Sequence, residues 1–458
     1  MSNPMTPQGV EQPSPEPDAK PTQARFVLVA WLCGLTSILY LDRICMSQAV
    51  KPIREEFNLS KPEMSYVLMA FTLAYGLCAV PVGRLGDRVG PRSVLGWMVL
   101  AWSAFTALTG AATGLVTLIL VRFMFGAAEA GALPSAARIV SQWYPVTERG
   151  RVQGIMLAFA QVGAVVAPAA TAYLIDSVGW RFTFVVFALV GVAWAVGFWL
   201  WFRNDPADHP SVNAAELAII RENGPPPPPI NPGPVPWGAV FTNWGILVLG
   251  LIMVLGAFFT YFFYSWFPTY LAEARNVGNV EAGWLTSLVI GGSGLGMLLG
   301  GWLADRISRL SADPIRDRRY LCMFAFFIAA VCLFLGIRCD SVIYLGVLWS
   351  ASMCAMHVQL PNWWSVIIPQ SGRHIATIFG LANGVGVFGA MASQGFVGWY
   401  ADYQEGQGLR GRDAWDPLFD VYVGVLVCGG IAWWFYRYTP LADPADTEKI
   451  VDSDPVDW

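Results

Sequence analysis

Twelve stretches of this chain are long and apolar enough to cross a lipid bilayer as helices. They run at about 25–48, 64–83, 93–112, 114–138, 152–175, 181–202, 245–271, 282–303, 320–337, 341–368, 375–400 and 417–437. A helix needs about 20 mostly apolar residues to span the ~30 Å hydrocarbon layer. Backbone polar groups have no partner in lipid, so each crossing must satisfy them internally, and these runs are too long for barrel strands. The charge content agrees. Only 13% of the 458 residues are Asp, Glu, Lys or Arg, about half the share that covers a soluble globular protein. Three soluble domains of ~150 residues, which length alone suggests, are therefore excluded. The chain reads as an all-α polytopic membrane protein.

The loops set the expected orientation. With both termini cytoplasmic, eighteen of the 28 basic residues fall on the inside and eight on the outside, leaving Arg43 and Arg122 within spans. That excess follows the positive-inside rule for a cell (inner) membrane. The expected organisation is a polar tail at 1–24, a six-helix half at 25–203, a linker at 204–244, a second six-helix half at 245–438 and a tail at 439–458. The linker holds Pro225 to Pro229 together with Pro232, Pro234 and Pro236. Such a run favours extended polyproline geometry and cannot be a helix interior.

Other classes are disfavoured. A net charge of −4, with scattered basic residues, leaves no footprint for nucleic acid. The eight Cys lie almost all in apolar runs, without the paired spacing of a metal site or disulfide framework. With three His in the chain and no nucleophile placed beside a base, no enzyme is expected. No cofactor is expected either.

An internal repeat spans nearly half the chain. The second span ends Gly83-Arg84-Leu85-Gly86-Asp87-Arg88, and the eighth ends Gly301-Trp302-Leu303-Ala304-Asp305-Arg306, at one offset of 218 residues. Repeats on this scale mark secondary transporters, whose halves rock about a site between them. The run GRLGDRVGPR resembles the signature of the major facilitator superfamily, with Pro91 where that family usually has a basic residue. The resemblance implies twelve transmembrane helices in two pseudo-symmetric halves, and a conformational latch at Gly83, Asp87, Arg88, Asp305 and Arg306.

Four charges lie where charges are costly. An ionisable residue deep in a span costs roughly 2.5–3.5 kcal/mol on insertion scales, so it is a functional candidate. The first span holds Tyr40-Leu41-Asp42-Arg43, and the fourth holds Arg122, Gly126, Glu129 and Gly131. Seven positions are nearly two turns, which sets Arg122 and Glu129 on one face about 10 Å apart, with room between them. Arginine forks onto a carboxylate, and a carboxyl in a low-dielectric cavity can carry a proton.

These residues resemble a narrower group, the anion:cation symporters, which includes transporters of hexonates, hexuronates and glucarate, sialin and the vesicular glutamate transporters. Tyr-x-Asp-Arg in span one, R-x-x-x-G-x-x-E-x-G in span four, Trp266 to Leu271 and Gly380 to Gly389 carry the resemblance. It implies proton-driven symport of a small organic anion, most simply a sugar acid. Arg43 and Arg122 would hold the carboxylate, and Asp42 and Glu129 would take protons. Tyr40, Tyr75, Gln161 and Asn383 match positions that line the sugar-acid site. Tyr261, Tyr264 and the pair Asn362-Trp363 are cavity candidates on weaker grounds, and His357 is expected to be a satisfied interior residue. The expected partners are the anion, protons and the bilayer, with the chain a monomer.

Two other readings fit the residues less well. A drug/proton antiporter usually carries a Gly- and Pro-rich motif in span five, and here Pro168 is kept without the neighbouring glycines. A non-transporting sensor would need an added soluble domain, and the longest loop is about forty residues.

Overall fold

The computed structural model describes residues 20–221 and 235–441. The proline run at 225–229 and the outer parts of both tails lie outside the described residues. The first half comprises α1 (Ala24–Phe57), α2 (Lys61–Val89), α3 (Pro91–Gly110), α4 (Leu115–Glu129), α5 (Ala132–Trp143) and α6 (Val146–Trp201). Two short helices follow, α7 (Ala214–Ile220) and α8 (Trp237–Thr242). The second half comprises α9 (Trp244–Ser265), α10 (Phe267–Ala274), α11 (Asn279–Leu310), α12 (Pro314–Arg338), α13 (Val342–His357), α14 (Gln359–Gln370), α15 (Ile375–Gly406), α16 (Arg412–Trp415) and α17 (Leu418–Phe435).

Among the described residues, nine helical segments are long and apolar enough to cross a membrane. One of them, α6, holds two crossings joined at Gly179, its single residue of non-helical backbone (φ 81°). With α2 and α15, of 29 and 32 residues, the crossings number twelve, in two halves of six. Crossings four, seven and ten are each split: α4 from α5, α9 from α10, and α13 from α14.

The helices outrun the apolar stretches because a helix need not stop where the lipid does. α1 continues to Phe57 through Pro52, and α2 starts at a capping box. There Ser60 Oγ accepts from the Glu63 N–H (3.3 Å), and the Ser60 N–H donates to the Glu63 carboxylate (2.8 Å). These bonds satisfy two helix-end groups that would otherwise be orphaned and hold the half-buried Glu63 carboxyl below its usual range. The first turn of α1 has no side-chain cap of its own. Its amides at Ala24 and Arg25 donate to Glu216 of α7, at 3.2 and 3.1 Å.

In lipid there is little hydrophobic drive between helices, so close contact relies on small residues. On α11, Gly292, Gly296 and Gly300 face the carbonyls of Ser350, Cys354 and Val358, where an added Cβ would sit 2.1–2.3 Å from oxygen. Gly126 of α4 does the same against α2, since a Cβ there would lie 2.4 Å from the Phe71 carbonyl oxygen. With an even number of crossings, the first and last described residues, Lys20 and Leu441, lie on one face of the bundle, here the end face, opposite the far face.

The halves meet along two seams, α2 with α15 and α6 with α11. Both are shut toward the far face. Added Cβ atoms at Gly398, Gly395 and Gly283 would strike Ser65, Met69 and Ala172, and those at Gly76 and Gly294 would touch Val387 and Gln161. Toward the end face the same helix faces part. At Gly154, Gly301, Gly380 and Gly384 a Cβ would meet nothing within 4 Å among the described residues. One apolar core runs unbroken from Met46, Ile53 and Leu68 of the first half into Phe262 and Trp415 of the second. The core nearer the end face contains first-half residues alone.

Ion pairs reinforce the far-face closure. Arg54 pairs with Glu273 at 2.8 Å, and buried Lys61 reaches Glu273 at 3.1 Å as well as Glu405. Both cations belong to the first half and both carboxylates to the second. The molecule is therefore closed at the far face and parted at the end face.

Candidate functional site

The in-span charges gather where α1, α2 and α4 meet. Gly126 makes this possible, because it lets α4 lie against α2 and brings Phe71 between the two arginines. The Arg43 guanidinium lies over the rings of Tyr40 (5.2 Å), Phe71 (5.4 Å) and Tyr75 (4.7 Å). Arg122 lies over Phe71 (5.2 Å) and Phe125 (4.5 Å). A cation over an aromatic face gains on the order of 0.5–2 kcal/mol, more when desolvated, which helps two positive groups to share one apolar floor.

Their partners differ. Arg43 Nε donates to Glu129 Oε1 at 3.0 Å, and Arg43 Nη2 donates to the same oxygen. Glu129 is 1% exposed, and its second oxygen, Oε2, has no protein partner. Asp42 is equally buried, with neither carboxyl oxygen hydrogen-bonded. Buried Arg122 has an unpartnered Nε. The equal spacing on α4 thus does not make Arg122 and Glu129 a pair across a gap. The carboxylate turns to Arg43 on α1, and the Arg122 fork keeps no carboxylate. Both Asp42 and Arg43 sit well inside α1.

A narrow cavity opens beside them, lined by Arg43, Met46, Leu68, Phe71 and Arg122 from the first half and Tyr261, Tyr264, Ser265 and Gln394 from the second. At about 20 Å³ it has room for about one water, so a larger ligand needs the halves to shift. Tyr40 and Tyr75 belong to this cluster through their rings. Gln161 lies on the α6–α11 seam, where its Nε2 meets Met297 Sδ at 2.9 Å while its Oε1 has no partner. Asn383 is exposed on α15, beside Gly384 in the parted section of the other seam.

Other sequence candidates are packing groups. Asn362 donates to the Gly300 and Val358 carbonyls, Trp363 to Leu249, and His357 Nδ1 faces the Met353 carbonyl at 2.9 Å. The side chains of Gly83, Asp87 and Arg88 lie outside the described residues. Asp305 and Arg306 are exposed at the end of α11, with Arg306 over the Trp302 ring at 5.7 Å.

Sequence reasoning missed Gln394, Ser265 and Phe71. Gln394 Nε2 donates to Ser265 Oγ (3.0 Å), and its Oε1 accepts from Thr72 Oγ1 (3.0 Å), which bridges the halves behind the arginines. Its signal was available, an amide inside an apolar span. Phe71 carries no such signal, since one Phe among many is an ordinary span residue.

Comparison with known proteins agrees with this architecture. The sequence profile of the Major Facilitator Superfamily matches residues 32–394. The chain is 29% identical over 373 residues to the probable sulfoacetate transporter SauU of Cupriavidus necator, covering 81% of this chain and 86% of that protein. It is 32% identical over 307 residues to the D-galactonate transporter of Escherichia coli O6:H1, covering 64% of this chain and 69% of that protein. Among solved structures, a bacterial homolog of the human lysosomal transporter Spinster, inward-facing and occupied, superposes with a TM-score of 0.73 at 21% identity. That match covers 93% of this chain and all of the other. With twelve crossings in two halves and a charged cluster at their centre, the chain belongs to the Major Facilitator Superfamily, as a membrane transporter and not an enzyme.

Proposed function

We propose that this protein is a proton-coupled symporter of a small organic anion, with sugar acids as the substrate class. One observation carries the reading: among the described residues no carboxylate is hydrogen-bonded to the Arg122 fork, although Asp42 and Glu129 share its cluster. A guanidinium held over aromatic rings and left free of protein carboxylate is suited to a ligand carboxylate, which it binds bidentately. Asp42 and Glu129 then serve the proton. A lone ionised carboxylate is costly to bury, and taking up a proton removes that charge. The relatives named for sulfoacetate and D-galactonate support an oxyanion with polar groups. The tyrosines and Gln394 around the cavity supply hydroxyl and amide partners for such groups.

The end face is assigned to the cytoplasm of an inner membrane, because it bears the excess of basic residues. Both termini are then cytoplasmic, and the parted state is inward-facing. The carrier acts as a monomer and needs no cofactor, with the proton gradient as its energy source. Uptake of labelled D-galactonate and sulfoacetate into proteoliposomes tests the reading. Accumulation under an inward proton gradient, abolished by a protonophore, is the expected result. Absence of uptake for every sugar acid and sulfonate tried would remove the substrate assignment.

Alternating access requires the far-face ion pairs to break. Replacing Lys61 leaves Glu273 and Glu405 without the cation between them. Both carboxylates are partly exposed, so the cost is discounted to about 1–2 kcal/mol, roughly a tenfold shift in population. Lys61→Met is expected to speed labelling of Met69→Cys by an impermeant maleimide from the far face about tenfold. Unchanged labelling would show that the clasp does not hold the gate.

A further inference from the structure

A second polar cavity lies apart from the arginine cluster, on the far-face side of the closed seam. It measures about 270 Å³ and is formed by α1 and the fifth crossing, the part of α6 before Gly179, together with α10 and the start of α11. Its volume equals roughly nine waters at ~30 Å³ each. Ser47, Gln48, Lys51, Glu55, Asp176, Thr269 and Asn279 are its polar lining.

Two of these side chains are deeply buried and unsatisfied. Gln48 is 2% exposed and Thr269 1% exposed. Neither the Gln48 amide nitrogen, nor its oxygen, nor Thr269 Oγ1 has a hydrogen-bond partner. Buried polar groups are nearly always hydrogen-bonded, and an exception calls for an explanation. Here three such atoms belong to two residues that line one cavity, and the two come from opposite halves. Gln48 belongs to α1 and Thr269 to α10.

We infer that this cavity is a ligand site for a neutral polyhydroxyl compound of hexitol size, which binds the inward-facing carrier from the far face and holds that face shut. The Gln48 amide offers donors and an acceptor, and the Thr269 hydroxyl is both, which is the pattern that sugar-alcohol hydroxyls match. Charge argues against an anion. Lys51 is shared with Glu55 at 3.9 Å, and Asp176 accepts from Asn279 at 2.7 Å, so the ionisable lining sums to one negative charge. The lining has no aromatic ring, so a flat ligand has nothing to stack on. Lys51 and Glu55 at the rim are water-exposed, which gives a path from the far side.

The effect on transport follows from geometry. The site exists only while α1 and α10 are together, and opening the far face pulls Gln48 from Thr269. A ligand shifts an equilibrium toward the state it binds better, here by a factor of 1 + [L]/Kd. Inhibition of uptake rests on the symport reading above, whereas binding does not.

Galactitol is the probe. Purified full-length protein is expected to melt at a higher temperature with galactitol, and the Arg122→Ala variant to show the same shift. Gln48→Leu and Thr269→Val, made separately in case one fails to fold, are each expected to lose it. In proteoliposomes, galactitol on the far side at ten times its Kd is expected to lower sugar-acid uptake by about tenfold, and to leave uptake by Gln48→Leu unaffected. No shift with galactitol, a shift that survives both variants, or one lost in Arg122→Ala would each overturn the inference. The last result would place the polyol in the central cavity instead. A retained shift with no sugar-acid uptake would leave this site standing and remove only the substrate assignment.

Discussion

Arg122→Ala is expected to abolish saturable uptake of the organic anion while leaving the protein folded. Arginine truncation opposite a desolvated carboxylate costs about 2–4 kcal/mol, roughly a 30- to 1,000-fold fall in transport efficiency. The fold should survive because no hydrogen-bonded ion pair among the described residues is broken when this side chain goes. Arg122 lies on Phe71 and Phe125 and acts on Asp42 and Glu129 only through space, so the apo protein loses packing and part of the field on those carboxyls. Arg43 is a poorer test. Its removal would leave Glu129 buried without its hydrogen-bonded cation and would mix binding with stability. Arg122→Lys is expected to restore little, because an ammonium has no fork to match a carboxylate. The measurement is labelled-anion uptake in proteoliposomes, with melting temperature as the control. Normal uptake by Arg122→Ala would end its assignment to the anion.

Glu129→Gln is expected to separate movement of the anion from its accumulation. The amide keeps an oxygen for Arg43 to donate to, so the α1–α4 contact persists, but the proton-carrying group is gone. A gradient of one pH unit can support about tenfold accumulation for each proton moved, and that ratio should fall to about one. Exchange of internal for external anion needs no net proton movement and should continue within a few-fold of wild type. Asp42→Asn is the companion variant. If it alone loses accumulation, the unpaired carboxyl of α1 carries the proton and Glu129 serves to position Arg43. Accumulation unaffected in both variants would rule out this pair as the coupling groups.

The two results read different parts of one cluster. Arg122 is tested as an anion holder and Glu129 as a proton site, and the aromatic floor of Tyr40, Phe71, Tyr75 and Phe125 supports both. The cavity between the arginines has room for about one water, so a bound sugar acid must part Tyr261, Tyr264 and Gln394 from the first half. Gln394 is hydrogen-bonded to both Thr72 and Ser265, which places it to register that movement.

Much of this architecture was legible without coordinates. Hydropathy is local, so twelve apolar runs show as twelve crossings wherever they pack. Charge inside such a run is costly in any arrangement, so Asp42, Arg43, Arg122 and Glu129 stood out before their neighbours were known. The repeat at Asp87 and Asp305 announced two related halves for the same reason, since both copies are contiguous in sequence. The helix ends were less legible. α1 passes through Pro52 to Phe57, and crossing four breaks after Glu129, because water and neighbouring helices, not lipid thickness, decide where a helix stops.

The pairing of the charges belongs to the tertiary structure alone. On α4 the sequence sets Arg122 and Glu129 seven residues apart on one face, and on α1 it sets Asp42 beside Arg43. Which carboxylate meets which guanidinium depends on how closely α1, α2 and α4 approach, and a carbonyl contact at Gly126 settles that. Adjacent helix residues point about 100° apart, so Arg43 reaches Glu129 while Asp42 faces the Trp102 side of the cluster. Twelve crossings in two related halves, and four charges within the spans, are readable from the chain alone. Three features needed the packed helices: Arg122 as a fork with no carboxylate in hydrogen-bond reach among the described residues, Gln48 and Thr269 lining one cavity, and the closed far face. Periodicity reports the environment of a residue, whereas ion pairs and gates depend on distances between helices far apart in the chain.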